Sequence, residues 1–107
     1  MGEMDLISDK DLKVMRRHAG EAAAMMAALS HEARLMVLCD LVGGERMAGE
    51  LVKRSGLSQS ALSQHLAKLR EEGLVSTRRE GQSIYYRIAD PNAARILGVL
   101  HDIYCKR

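Results

Sequence analysis

The middle of the chain contains two short helical segments joined by a tight turn that includes a glycine. The first segment covers about residues 47–54, and Ser55-Gly56-Leu57 forms the turn. Ser58 is placed to cap the second segment, about Gln59 to Glu72, because a serine hydroxyl can accept a hydrogen bond from a free amide in the first helical turn. Two short helices at this separation predict a helix-turn-helix over about residues 47–72.

The second of these helices has one apolar and one polar side. Leu62, Leu66 and Leu69 recur at helical spacing, and the other side carries Gln59, Ser60, Ser63, Gln64 and Lys68. Glutamine can form two hydrogen bonds to an adenine edge, and serine can donate or accept at several bases. The composition therefore predicts a helix that reads DNA, although the same residues are compatible with the solvated face of a helical bundle.

A β-hairpin is predicted after this helix, which Gly73 ends. The strands are Leu74 to Arg79 and Ser83 to Ala89, joined by Glu80-Gly81-Gln82. Val75 and Thr77 are expected to lie on the same face as Ile84, Tyr86 and Ile88.

Three further helices flank these elements. The first is predicted from about Asp9 to Leu29 with Ser8 as its N-cap, and the second from His31 to about Val42 with Ser30 as its N-cap. The last runs from Pro91 to about Tyr104 behind an Asp90 cap. The predicted fold is mostly α with a small β-hairpin: four helices, a hairpin and a final helix. At 107 residues, a single domain over 1–107 is expected.

The charge distribution is more informative than the net charge of +2. Residues 1–52 carry a net −3, residues 53–87 a net +4 and residues 88–107 a net +1, so the positive excess coincides with the predicted DNA-reading elements. No segment approaches the ~20 continuous apolar residues of a membrane span. The start, Met1-Gly2-Glu3-Met4-Asp5, is acidic where a signal peptide is basic. These features predict a cytoplasmic protein without a membrane partner.

The sequence from Leu57 to Val75, with Arg78-Arg79 and Tyr85-Tyr86-Arg87 after it, closely resembles the ArsR family of winged-helix repressors. The resemblance extends from about Glu21 to Cys105. It implies a homodimer formed by the first and last helices, with the fourth helix in the major groove of operator DNA and the hairpin, about residues 74–89, as a wing near the minor groove. The predicted DNA contacts are Ser58, Gln59, Ser60, Ser63, Gln64, His65 and Lys68 on the helix, and Arg78, Arg79 and Gln82 on the wing. Arginines on a hairpin can alternatively serve only to keep an exposed edge soluble.

Neither catalysis nor metal binding is predicted. Ser63 and His65 are two residues apart on a helix and do not face each other, so no enzyme activity and no cofactor are expected. ArsR relatives that bind arsenic or cadmium use cysteines in the third helix, where this chain has Met47 and Gly49. Relatives that bind zinc through the last helix use Asp and His followed by His and Glu; here Asp90 matches, and the other positions are Asn92, Ile103 and Lys106.

The two cysteines carry the remaining prediction. Cys39 lies on the apolar stripe of the second helix, where a buried, inert thiol is the ordinary expectation. Cys105 precedes Lys106 and Arg107, and nearby cations favour a thiolate.

The local sequences Val37-Leu38-Cys39 and Asp102-Ile103-Tyr104-Cys105 resemble the dithiol branch of ArsR regulators, the HlyU, BigR, YgaV and SqrR group. The resemblance implies a repressor released from DNA when persulfide or another oxidant crosslinks Cys39 to Cys105. Two core cysteines without a sensing role, a metal-responsive repressor, and a partner-binding module without DNA activity are the alternatives.

Overall fold

Five helices and three short strands form the part of the chain that the computed structural model describes, residues 7–106. The order is α1 (Asp9–Leu29), α2 (Glu32–Val42), β1 (Arg46–Met47), α3 (Ala48–Ser55), α4 (Gln59–Glu71), β2 (Val75–Glu80), β3 (Ser83–Ile88) and α5 (Pro91–Tyr104). The predicted fold class is confirmed, and the predicted bounds differ from the observed ones by at most one residue. β1 was not predicted.

Side-chain caps mark the starts of α1, α2, α4 and α5. The Ser8 hydroxyl accepts from the amide of Asp11 at 3.1 Å, and the Asp11 carboxylate accepts from the amide of Ser8 at 3.1 Å. The cap predicted at Ser30 is wrong. The Ser30 hydroxyl donates to the carbonyl of Ala27 at 2.7 Å and so belongs to the end of α1, whereas Nδ1 of His31 accepts from the amide of Ala33 at 3.2 Å and caps α2.

The three strands form one antiparallel sheet in the order β1-β3-β2. Val75 pairs with Ile88 and Thr77 with Tyr86, as predicted. The β2–β3 turn consists of Gly81 and Gln82, and Gly81 has a φ of 63°, which glycine adopts without a steric cost. β1 adds Arg46 opposite Tyr86 and Met47 opposite Tyr85, which attaches the segment after α2 to the hairpin.

The core consists of aliphatic side chains from every helix and from the start of the hairpin. The predicted stripe of α4 is buried, with Leu62, Leu66 and Leu69 at most 3% exposed. The other buried residues are Ala28, Leu29, Val37, Leu38, Leu41, Leu51, Leu74, Val75, Ala93 and Leu97. This core fixes α4 so that its opposite face is turned to solvent.

The apolar stripe predicted on α2 is only partly correct; its residues are Leu35, Met36, Leu38, Cys39 and Val42. Leu38 is buried and Leu35 half-buried, but Met36, Cys39 and Val42 lie on an exposed side of the helix. The core covers Val37 and Leu41 beside Leu38 instead. The expected burial of Cys39 is therefore wrong for this chain. α2 is apolar on two adjacent sides, and helical periodicity alone does not say which side the core covers.

α1 is attached to the rest of the molecule mainly through its C-terminal end. Only Ala28 and Leu29 of this helix are buried, while Leu12, Val14, Met15 and Met26 are at least 41% exposed. Among the described residues, no single helix is long and apolar enough to cross a membrane. α1 and α2 reach that length and composition only as a pair, which is bent by 92°.

Candidate functional site

The polar face of α4 is exposed along its length. The Ser58 hydroxyl accepts from the amide of Ala61 at 3.1 Å and caps the N-terminus of the helix, as predicted. From there, Gln59, Ser60, Ser63, Gln64 and Lys68 are all turned to solvent. Gln59, Ser60, Ser63 and Gln64 thus form a neutral hydrogen-bonding surface over the first two turns of α4.

Lys68 and His65 differ from these four residues. Nζ of Lys68 lies 3.3 Å from Glu72 and 4.0 Å from Glu71, so its charge is partly balanced within the helix. His65 is half-buried, and its ring centroid is 4.6 Å from that of His31. Partial burial lowers the pKa of His65, and the charges of His31 and Arg34 lower it further. His65 therefore packs against α2 as well as belonging to α4.

The arginines of the wing have different environments. Arg78 forms a two-bonded ion pair with Glu45, with N–O distances of 2.8 and 2.9 Å, and also pairs with Glu80. Its guanidinium lies 4.3 Å from the centroid of the Tyr85 ring. Hydrogen bonding to Arg78 lowers the pKa of Glu45.

Arg79 and Gln82 are exposed, and within residues 7–106 neither makes a side-chain hydrogen bond or ion pair. Arg79 thus presents an unpaired cation, whereas Arg78 is held by the protein. Arg87 was not predicted as a site residue; it is exposed on β3, and its Nε donates to the Ser76 hydroxyl at 3.0 Å.

Both cysteines line one groove between α2 and α5. The groove has a volume of about 1220 Å³ and is mostly apolar. α2 contributes Leu35, Met36, Cys39 and Val42, and α5 and its C-terminal end contribute Ile96, Val99, Leu100, Tyr104 and Cys105 among others. Neither cysteine is part of a disulfide, and both are exposed. The structure thus brings the two predicted sensing residues, 66 positions apart in the sequence, to one surface.

Electrostatics distinguish the two thiols. Partial burial raises the pKa of the Cys39 thiol, and the neighbouring Cys105 thiol adds to the increase because two thiolates repel each other. Near Cys105, Nζ of Lys106 lies 3.0 Å from the carboxylate of Asp102, so the cation expected to favour a Cys105 thiolate is already paired. Arg107, the other expected cation, lies outside the described residues.

A second ionic cluster, not predicted from the sequence, lies beside Cys39. The Asp40 carboxylate accepts hydrogen bonds from Arg46 at 3.0 Å and from Arg54 at 2.8 and 2.9 Å. A lone acidic residue in the apolar run from Val37 to Val42 was the available signal. Within the described part of the chain, no group of three or more His, Cys, Asp or Glu side chains has the arrangement of a metal site.

Comparison with known proteins identifies the family. Residues 31–77 match the model of the arsR family of bacterial regulatory proteins. The transcriptional activator HlyU of Vibrio cholerae serotype O1 is 42% identical over 96 residues, which cover 90% of this chain and 89% of HlyU. The chain belongs to the ArsR family. A second relative and a solved structure extend this result. The biofilm growth-associated repressor of Agrobacterium fabrum is 43% identical over 92% of this chain and 85% of its own length.

The solved structure of reduced HlyU from Vibrio cholerae N16961 superimposes on this ArsR chain with a TM-score of 0.82. It is 42% identical and covers 87% of this chain and 98% of that one. Membership makes the chain a DNA-binding transcriptional regulator. The matched family segment, 31–77, spans α2 to the start of β2, so it includes Cys39 but not Cys105. The assignment of the family therefore does not by itself assign a function to the thiol pair.

Proposed function

We propose that this ArsR protein is a homodimeric, sequence-specific repressor that inserts α4 into the major groove of operator DNA and places its wing near the minor groove. The observation that carries this proposal is the capped, exposed polar face of α4, which is fixed on its other side by Leu62, Leu66 and Leu69. Base edges are read by side chains that donate and accept from a rigid support, and Gln59, Ser60, Ser63 and Gln64 provide such groups. A cytoplasmic location follows from this activity, because the operator is there.

The second part of the proposal is that the Cys39–Cys105 pair releases the repressor from DNA in response to persulfide. The shared groove supports this proposal because it makes both thiols accessible from one side. A low-molecular-weight persulfide, RS–SH, transfers its outer sulfur to each cysteine thiolate, and RSH is released each time. The two resulting Cys–S–SH groups then condense: one terminal sulfur attacks the other cysteine's sulfur, H₂S leaves, and a trisulfide joins Cys39 to Cys105.

The environment of Cys39 bears on the order of attack. Burial raises the pKa of this thiol and so disfavours its thiolate, which supports a first attack by Cys105. A direct disulfide requires Cα atoms within about 7 Å, and each added sulfur lengthens the bridge. Where α2 and α5 hold the two Cα atoms farther apart than a direct disulfide allows, persulfide is therefore a better inducer than peroxide.

The experiment compares operator affinity before and after treatment with glutathione persulfide. We expect the wild type to lose affinity by about 5–150-fold, the usual range of allosteric coupling. Cys39→Ser and Cys105→Ser should bind the operator normally and keep their affinity, because one thiol cannot close a bridge. Mass spectrometry of the treated protein counts the added sulfurs, and reduced glutathione is the control reagent. Release of both single variants by persulfide, or tight binding by the crosslinked wild type, would refute the dithiol mechanism.

The direction of the transcriptional effect has a separate test. One relative is called an activator and another a repressor. An ArsR protein that only blocks its operator activates a gene when it displaces a second repressor. Transcription in vitro with RNA polymerase and this protein alone should show repression, which persulfide relieves.

A further inference from the structure

Asp40 follows Cys39 directly on α2 and holds two arginines from other elements. Its carboxylate lies 2.8 Å from Nε of Arg54 and 3.0 Å from Nε of Arg46. The Arg46 Nε also lies 3.4 Å from the backbone carbonyl of Asp40. A charge-assisted hydrogen bond fixes direction as well as distance, so these contacts define where α2 sits relative to both partners.

The two arginines belong to the two halves of the DNA-binding unit. Arg54 lies in the last turn of α3, immediately before the turn that leads to α4. Arg46 lies in β1, opposite Tyr86 of β3, and therefore attaches to the wing. One carboxylate on α2 thus contacts both the helix-turn-helix and the sheet that carries the wing.

Asp40, at the centre of the cluster, is sheltered, and Arg54 lies at the exposed edge of the cluster. The Asp40 side chain is 18% exposed, compared with 52% for Arg54. Hydrogen bonding to Arg54 and the positive charges of both arginines lower the pKa of Asp40, so the carboxylate is ionised throughout the neutral range. Removal of one partner from a partly buried pair leaves the other with an uncompensated charge, which makes the arrangement sensitive to movement of α2.

Cys39 lies between the thiol groove and this cluster. One groove, between α2 and α5, contains Cys39 and Cys105. A second groove, between α2 and α3, has a volume of about 840 Å³ and contains Cys39, Asp40 and Arg54. A covalent bond that draws Cys39 towards α5 therefore acts on the segment of α2 that carries Asp40.

We propose that Asp40 is the positioning residue that transmits the state of the Cys39–Cys105 pair to the helix-turn-helix and the wing through Arg54 and Arg46. This inference rests on the proposed function, because it requires that crosslinking weakens DNA binding. Crosslinking shifts α2, the paired arginines follow or lose their hydrogen bonds, and α4 and the wing leave the arrangement that fits the operator. Asp40 contacts neither the inducer nor DNA.

The test measures operator affinity of reduced and persulfide-crosslinked protein and takes the ratio of the two for each variant. Asp40→Asn should still form the bridge, verified by mass spectrometry, but its ratio should fall from the wild-type range of about 5–150 to near 1. Arg54→Gln, which leaves the Arg46 contact in place, should give an intermediate ratio. The matched control is Glu50→Gln: Glu50 lies 3.8 Å from the same Arg46, so this variant removes a neighbouring charge while keeping Asp40 and should keep the wild-type ratio.

The outcomes separate the two proposals. If the wild-type ratio is above about 5 and Asp40→Asn keeps that ratio, the proposed role of Asp40 is wrong and the dithiol function remains intact. A wild-type ratio of 1 despite a complete crosslink overturns the dithiol function and this inference with it. If Asp40→Asn does not fold, as judged by its thermal transition, Arg54→Gln decides the question because Arg54 is exposed, and an unchanged ratio in that variant overturns the inference.

Discussion

Gln59 is the residue of α4 whose replacement should report most directly on base recognition. It lies exposed in the first turn after the Ser58 cap, where the helix enters a major groove in the proposed complex. Gln59→Ala should relax preference at one operator position and cost about 1–3 kcal/mol of specific binding. Binding to selected operators and to random duplexes measures this effect. Equal losses on both DNAs would remove Gln59 from base readout.

His65 should make folding stability depend on pH. Partial burial, His31 and Arg34 lower its pKa in the folded state, so the unfolded chain takes up a proton more readily. The stability that neutral His65 contributes to the fold is present above the ordinary histidine pKa of about 6.5. It is lost as the pH falls from there towards the lowered pKa of His65 in the folded state. The urea midpoint of the wild type should therefore fall more between about pH 7.5 and about pH 5.5 than that of His65→Gln.

The control for this prediction is His101→Gln, whose side chain is 59% exposed. This variant should keep the wild-type decrease in urea midpoint. A decrease of equal size in His65→Gln would show that the His31–His65 contact does not cause the pH dependence.

At the residue scale, the sequence predicted which side chains share a helix face better than it predicted their partners. The face of α4 from Gln59 to Lys68 follows from periodicity, because one wide stripe of leucines determines its opposite side. The exposure of Cys39 could not be predicted in this way. α2 has apolar residues on two sides, and only the packed fold determines which side is buried. The ion pair of Arg78 with Glu45 joins residues 33 positions apart in the sequence, so no local pattern indicates it.

At the scale of the element, the two neighbouring arginines of the wing have different environments, which predicts different roles for them. Arg79 has no ion-pair partner within residues 7–106, whereas Arg78 is held by Glu45, Glu80 and Tyr85. Arg79→Ala should weaken binding to specific and random DNA alike and reduce the salt slope of log affinity by about 1. Arg78→Ala should instead lower the thermal midpoint, because it frees Glu45 and Glu80.

Fluorescence anisotropy over a salt series and thermal unfolding distinguish these two variants. An unchanged salt slope in Arg79→Ala would exclude a phosphate contact at this position. A salt slope reduced by Arg78→Ala, with no change in thermal midpoint, would assign the phosphate contact to Arg78 instead.

The long elements were predictable because each has its own local signals. α1, α4 and α5 begin at the predicted caps, and the hairpin follows from alternating strands around Gly81. β1 has only two residues, and its strand character depends on pairing with β3, which is about 40 residues farther along the chain. The sheet order and the cluster around Asp40 both depend on this non-local contact.

At the scale of the whole molecule, apolar side chains remain exposed on the first and last helices. Leu12 and Met15 of α1 are 45% and 55% exposed, and Val99 and Ile103 of α5 are 56% and 52% exposed. Apolar side chains exposed together on a helix are typical of an interaction surface. Because a two-fold dimer presents two reading helices to two half-sites, the proposed repressor requires such a site on each copy.

A charge placed on this surface should therefore separate the copies. Met15→Glu and Ile103→Glu should each shift the protein to a monomer in sedimentation equilibrium, because dimerisation would bury an unpaired carboxylate. Loss of the second half-site should then lower operator affinity by about 100-fold or more. Lys10→Glu, which changes the charge of an exposed polar position on the same helix, is the control and should remain dimeric. If Met15→Glu and Ile103→Glu both stay dimeric at nanomolar concentration, the two copies associate through a different surface.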